Sequence, residues 1–178
     1  MMNANCQALS DAVLIRAPFG GVRVGVHESQ LLIELLALPE TALVLSSQRN
    51  IALESISSNS LINLAAKQVM QYLKQPATVF SVPAQQSGTA FQQKVWQAIA
   101  AIPRGQTRTY SQLALALGSG PRAVANACGA NRLPLVVPCH RVVAKNGLGG
   151  FMQGARNGLL IKQWLLQHEL NNDGGYTR

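Results

Sequence analysis

Pro138-Cys139-His140-Arg141 places a thiol beside an imidazole, with apolar residues Leu135-Val136-Val137 before it and Val142-Val143 after it. A thiol is a weak nucleophile until it loses its proton, and a nearby base or cation promotes that loss. Cys139 is therefore a candidate nucleophile and His140 its candidate base. Neighbouring side chains on an extended segment point to opposite faces, so direct contact is not assured, and a bridging water or a sharp bend could connect the two. His140 also needs an acidic partner to hold its tautomer and stabilise its charged form. Residues 84–178 offer only Glu169 and Asp173. Glu169, beside His168 on a terminal helix, is the better candidate. A metal at Cys139 and His140 is disfavoured, because adjacent ligands strain tetrahedral geometry and no further Cys/His pair has metal-site spacing. Cys6 and His27 are too few to form another site. No metal and no cofactor are expected. Cys6 and Cys128 read as small inert hydrophobes, and His27 and His168 as surface or helix-packing residues.

Positioning such a site falls to the second half of the chain, whose elements are well punctuated. Thr89-Ala90-Phe91-Gln92 is a capping box, followed by Val95, Ile99 and Ile102 at helical spacing with Phe91. Pro103-Arg104-Gly105 stops that helix. Thr109-Tyr110-Ser111-Gln112 is a second capping box, opening a helix through Leu117. Gly118-Ser119-Gly120 ends it, and Pro121 suits the first position of the next helix, which runs towards Asn131. Two short helices joined by a tight Gly-containing turn make a helix-turn-helix pattern. A last helix is predicted from about Gly158 to Leu170, with Leu160, Trp164, Leu165 and His168 on one side.

The first half reads as α/β. Val13-Leu14-Ile15, the pair Gly20-Gly21 and Val22 to Val26 predict a hairpin. Leu31 to Leu38 is a third strand or a helix, and Ile62 to Leu73 is a helix with Ile62, Ala65, Ala66, Val69 and Tyr72 or Leu73 inward. The polar link from Ser81-Val82-Pro83 to Gly88 sets the expected domain boundary: 1–83 as a small α/β domain with a short antiparallel sheet, 84–178 as a mostly helical domain with a small extended element near Val136.

Of 178 residues, 48 % are apolar and 12 % charged, with a formal charge of +8. Residues 1–83 hold five basic and five acidic groups. Residues 84–178 hold ten basic groups against two acids, so the whole excess lies there. That asymmetry suits a polyanion partner. Three cysteines without a C-x-x-C argue against a disulfide framework or zinc ribbon and for a reducing compartment. The start carries no signal-type apolar core, and the run from Leu31 to Leu45 is too short and too interrupted to span a bilayer. A cytoplasmic protein with no membrane contact is expected.

Taken together, Pro138 to Val143 and a set of further motifs resemble the O6-alkylguanine-DNA alkyltransferases. Phe91-Gln92 with Val95-Trp96, Ile102 to Thr107, Thr109-Tyr110, Arg122-Ala123-Val124, Asn131, Gly150-Phe151, Lys162, Trp164-Leu165-Leu166 and Glu169 follow in that family's order. The similarity is strong over about 89–170 and weak over the first 80 residues. It implies a monomeric suicide repair protein that flips an O6-alkylguanine out of double-stranded DNA and moves the alkyl group irreversibly onto its own cysteine. By the same resemblance Cys139 is the acceptor, His140 activates it through a water, and Glu169 orients His140. Tyr110 protonates the departing guanine, and Asn131 braces the loop around the cysteine. Arg122 enters the base stack, with Thr109, Ser119 and Ala123 as further DNA contacts. Pro138, Val142, Phe151 and Met152 line the guanine pocket. Position 151 is Phe where many relatives carry Tyr, which keeps the apolar wall and loses a hydroxyl. The family's helix-turn-helix works through the minor groove, whereas the pattern by itself points to the major groove.

Extrusion of the base costs a few kcal/mol of stacking, which an inserted Arg partly offsets. Guanine leaves poorly as an anion, so a proton donor lowers the barrier. Two other readings compete: a DNA-binding regulator without chemistry, and a Cys-His hydrolase that turns over without DNA.

Overall fold

The computed structural model describes residues 11–37, 51–155 and 157–170. Cys6, Asp173 and the part of the Leu31–Leu45 run beyond Ala37 lie outside them. The first half builds an antiparallel sheet from strands β1 (Asp11–Ala17), β2 (Gly20–His27), β3 (Gln30–Ala37) and β4 (Ala52–Leu53), in the order β3-β2-β1-β4. The ambiguous run after Leu31 is thus a strand. Alternation decides it: Leu31, Ile33 and Leu35 are buried while their neighbours are half-exposed. The β1–β2 turn falls at Pro18-Phe19, so Gly20 and Gly21 open β2 rather than form the turn. At the next hairpin Glu28 and Ser29 both take positive φ (49° and 63°), as the two-residue turn that matches strand twist requires.

Helix α1 (Ser60–Lys74) packs on this sheet. Asn59 caps it by accepting from the Leu61 amide, and Ile62, Ala65, Ala66, Val69, Tyr72 and Leu73 are buried as their spacing predicts.

The second half holds α2 (Ala90–Ala100), strand β5 (Arg108–Thr109), α3 (Tyr110–Ala116), α4 (Pro121–Gly129), strand β6 (Val142–Val143) and α5 (Gly158–Leu170). Both predicted capping boxes are formed, at Thr89/Gln92 and Thr109/Gln112. Gly118, at φ 61°, ends the turn after α3, and Pro121 starts α4. The extended element is β6, after the Cys139 turn, not a strand at Val136. It pairs in parallel with β5, Arg108 opposite Val142 and Thr109 opposite Val143. That pairing sets the start of the helix-turn-helix directly beside the Cys139 segment.

The inward face of α5 also differs from the predicted one. Gly158, Ile161, Lys162, Leu165 and Glu169 are buried, while Leu160 is 45 % exposed. Two polar residues sit on the buried stripe, so hydrophobic spacing picked a neighbouring one.

A single apolar cluster runs through both halves. The Phe19 and Trp164 rings meet edge to face at 5.2 Å, and the Ile33 amide donates to the Arg132 carbonyl at 3.0 Å. Among the described residues no helix is long and apolar enough to cross a membrane.

Candidate functional site

Cys139, His140 and Arg141 form one 3-10 turn, with the Arg141 amide donating to the Pro138 carbonyl at 2.9 Å. The run is therefore a bend and not an extended strand. Successive side chains on such a turn diverge by about 120°. Cys139 stays half-buried while His140 is turned wholly inside. Asn131 supports the approach to the turn: its Nδ2 donates to the Val137 carbonyl at 2.9 Å and its Oδ1 accepts from the Leu133 amide at 3.0 Å. Gln86, from the link before α2, donates to the same Oδ1 at 2.8 Å.

Glu169 is the acid behind His140. Its Oε1 lies 2.8 Å from His140 Nε2, and both side chains are fully buried. Arg141 grips the same carboxylate with two prongs, Nε to Oε2 and Nη2 to Oε1, each at 2.9 Å. The Tyr72 hydroxyl donates to Oε1 at 2.7 Å and the Gly105 amide to Oε2 at 3.3 Å. Burial by itself raises a carboxyl's pKa, but donation from His140 and Arg141 outweighs it and holds Glu169 well below the usual carboxylate range. Burial pushes the His140 imidazole down, against the pull of Glu169. With Nε2–H given to Glu169, Nδ1 is the ring's free acceptor. It is buried and has no hydrogen-bond partner among the described residues.

Burial raises the Cys139 thiol, while a hydrogen bond from Asn131 and the charge of Lys162 pull the other way. The resting pair is thus a neutral thiol and a neutral imidazole, with a cation nearby to favour the thiolate once it forms.

Cys139 lines a cavity of about 300 Å³ with Tyr110, Cys128, Phe151, Met152 and Gln153. Of the predicted pocket residues, Phe151 and Met152 do line it. Pro138 and Val142 do not: both are packed into the interior. The Val142 carbonyl instead accepts from Lys162 Nζ at 2.6 Å, and Gly150 O accepts from the same amine at 3.0 Å. Lys162 is fully buried, 5.9 Å from the Tyr110 ring centroid and 5.7 Å from that of Phe151. Burial lowers its pKa to about 8, with the two cysteines opposing. The Tyr110 hydroxyl donates to the Gly150 carbonyl at 3.2 Å. Burial raises its pKa to about 12, so it remains a proton carrier at neutral pH.

Cys128 is not the sealed core residue its apolar setting suggested. It is half-buried and faces the cavity, its thiol pushed up to about 12 by burial. Sequence reasoning also missed Tyr72, Arg141 and Lys162 as members of the site. No local signal marked their roles: the burial of Lys162, rare for a lysine without a partner, is set by groups distant in sequence.

The helix-turn-helix forms the outer wall. Tyr110 opens α3, while Ala125, Cys128 and Gly129 of α4 face the cavity. Trp96 Nε1 on α2 donates to the Ala127 carbonyl at 2.8 Å and pins α4 in place. Arg122 stands exposed on the first turn of α4, with Ala123 half-buried beside it. Ser119 lies in the turn, and the Thr109 side chain is occupied in capping α3.

Fold and site together define a helix-turn-helix protein that presents a cavity with its own cysteine, backed by a His–Glu pair. The model of the 6-O-methylguanine DNA methyltransferase DNA-binding domain matches residues 90–171. A probable methylated-DNA–protein-cysteine methyltransferase of Acanthamoeba polyphaga mimivirus is 54 % identical over 87 residues, 48 % of this chain and 56 % of that protein. The methylated-DNA–protein-cysteine methyltransferase of Salmonella typhimurium is 41 % identical over 118 residues, 65 % of this chain and 67 % of that one. Mycobacterium tuberculosis OGT, solved in complex with DNA, matches at a TM-score of 0.67 and 32 % identity, over 88 % of this chain and 91 % of that chain. The chain spans between a third and two thirds of the length of the curated relatives it matches. It belongs to the methylated-DNA–protein-cysteine methyltransferase family.

Proposed function

We propose that this protein repairs DNA by moving the alkyl group of O6-alkylguanine in a duplex onto Cys139, once per molecule. The observation that carries this reading is the buried His140–Glu169 pair at 2.8 Å behind a cysteine that faces a cavity walled by a helix-turn-helix. In the resting state the thiol and imidazole are neutral. A water bridging Cys139 and His140 Nδ1 passes the thiol proton to the ring, and Glu169 stabilises the imidazolium. The sulfur then attacks the alkyl carbon, a C–S bond forms and the C–O bond breaks. Tyr110, still protonated at neutral pH, gives the departing guanine a proton.

Arg122, exposed at the start of α4, enters the stack as the base leaves, and Thr109, Ser119 and Ala123 contact the backbone around it. Phe151 and Met152 hold the extruded base, and Asn131 keeps the Cys139 turn in place. The thioether product is stable and nothing in the site would cleave it, so each molecule reacts once. No cofactor or metal is needed. The protein acts as a monomer in the cytoplasm, where reducing conditions keep Cys139 free.

Mixing the protein with a duplex carrying O6-methylguanine is expected to add one methyl group, on the peptide containing Cys139. Product release beyond one equivalent, or a Cys139→Ala variant that still repairs, would overturn the reading. A DNA binder without chemistry would behave identically with and without that thiol.

A further inference from the structure

Among the described residues, the hydrogen-bond partners of the His140–Glu169 pair come from the second half of the chain, with one exception, Tyr72 of α1. We propose that Tyr72 is a positioning residue for alkyl transfer: its hydroxyl fixes the Glu169 carboxylate that in turn orients His140. The inference rests on the alkyl-transfer reading above.

The contact is built, not incidental. Tyr72 and Glu169 are each 2 % exposed and 97 residues apart in sequence, and their oxygens meet at 2.7 Å. The tyrosine is held on several sides. Its ring packs on Phe80 at 5.6 Å and on the edge of His168 at 5.6 Å. Its own carbonyl lies 2.8 Å from His168 Nε2, one residue before Glu169 on α5. The phenol's pKa is pushed far up by burial and by the Glu169 charge, so it stays a donor throughout the useful pH range.

Oε1 of Glu169 is shared by three donors: the Tyr72 hydroxyl, His140 Nε2 and Arg141 Nη2. Each withdraws electron density from one oxygen, so each weakens what that oxygen offers the others. Further groups face the pair. Arg104 donates to the Glu169 carbonyl at 3.1 Å and the Gly105 amide to Oε2, both from the loop after α2. Arg141 and Lys162 repel a proton on His140. Taking away the phenol hydroxyl leaves the carboxylate a stronger base towards His140. The imidazole then holds a proton at higher pH. A protonated His140 cannot accept the thiol proton, so the acidic limb of the rate profile moves up.

The test is the single-turnover rate of methyl transfer from an O6-methylguanine duplex, measured across the acidic and neutral range with the full chain. For Tyr72→Phe the acidic limb is expected to move up by about one pH unit, the scale on which one hydrogen bond to a charged group acts. Replacing Tyr72 with a ring-fluorinated tyrosine keeps the shape and makes a stronger donor, so its limb is expected to move down. Phe80→Leu loosens the packing and leaves the hydroxyl alone. It should lower Tm and leave the limb where it was. If Tyr72→Phe does not fold, the fluorinated protein carries the test alone. A wild-type limb that stays put in both Tyr72 variants overturns the role of Tyr72. A wild-type protein that moves no methyl at all overturns the alkyl-transfer reading instead.

Discussion

Arg141 is 12 % exposed, and its two-pronged grip on Glu169 makes this carboxylate the most heavily partnered acid among the described residues. Replacing Glu169 with Gln removes the charge that Arg141 and an imidazolium at position 140 would face. Breaking a buried pair from one side costs about 3–5 kcal/mol. Glu169→Gln is therefore expected to lower stability by that order and to slow methyl transfer further, as read by denaturant unfolding and single-turnover kinetics. The pair also sets an acid limit. His140 is held below its ordinary pKa in the folded protein. Its neutral form contributes stability above the unfolded value of about 6.5, and that contribution is lost as pH falls through the lower folded value. Glu169, also held low, loses its contribution further down. Thermal unfolding followed against pH is expected to show stability falling from about pH 6.5 downward. Glu169→Gln should flatten the lower part of that fall.

At the scale of elements, the parallel pairing of β5 and β6 ties Tyr110 to the cysteine turn, and Gly149 completes the arrangement. Its φ is 71°, and a Cβ there would come within 2.8 Å of the Tyr110 ring and 3.1 Å of the Ala144 amide nitrogen. Only glycine fits both the left-handed backbone and the close approach. Gly149→Ala should cost about 1–3 kcal/mol from backbone strain alone and push Tyr110 off the cavity. Methyl transfer should then slow more than DNA affinity falls, a difference that parallel kinetic and binding assays would resolve. Trp96→Phe tests the clamp on α4. It leaves the buried Ala127 carbonyl without its donor, at about 1–3 kcal/mol. A lowered Tm with Cys139 still reactive towards a small thiol reagent is the expected result.

Across the whole molecule, the net positive charge lies in the second half, as suits binding to a polyanion. Affinity for DNA should therefore fall steeply with salt. Arg122→Ala is expected to weaken duplex binding and to reduce the slope of log affinity against log salt by about one if Arg122 meets a phosphate. An unchanged slope with slower repair would place it in the base stack. Titration of labelled duplex at several salt concentrations measures both.

Much of this was readable from the chain. The capping boxes at Thr89 and Thr109, Gly118 and Pro121 carry their structure in local rules. A cap or a left-handed turn depends on three or four neighbouring residues. Cys139, His140 and Glu169 were legible as a thiol, its imidazole and the better of two available acids. The face of α5 was not legible, because Lys162 and Glu169 are buried by partners that lie far away in sequence. Cys128 looked like core because composition does not say which wall of a helix borders a cavity. Tyr72 looked like one more apolar position on α1, and its hydroxyl acquired a partner only when α5 closed over it.

The order of amino acids by itself determined the local geometry and the chemical types: where helices start and stop, which strand residues alternate, and that one thiol sits beside one imidazole. Tertiary structure alone decided that five donors from three separate segments converge on the Glu169 carboxylate, and that a lysine is buried beside the cavity. Local propensity acts over a few residues. The charge state of a buried group depends on everything packed around it, and that packing brings together residues nearly a hundred positions apart.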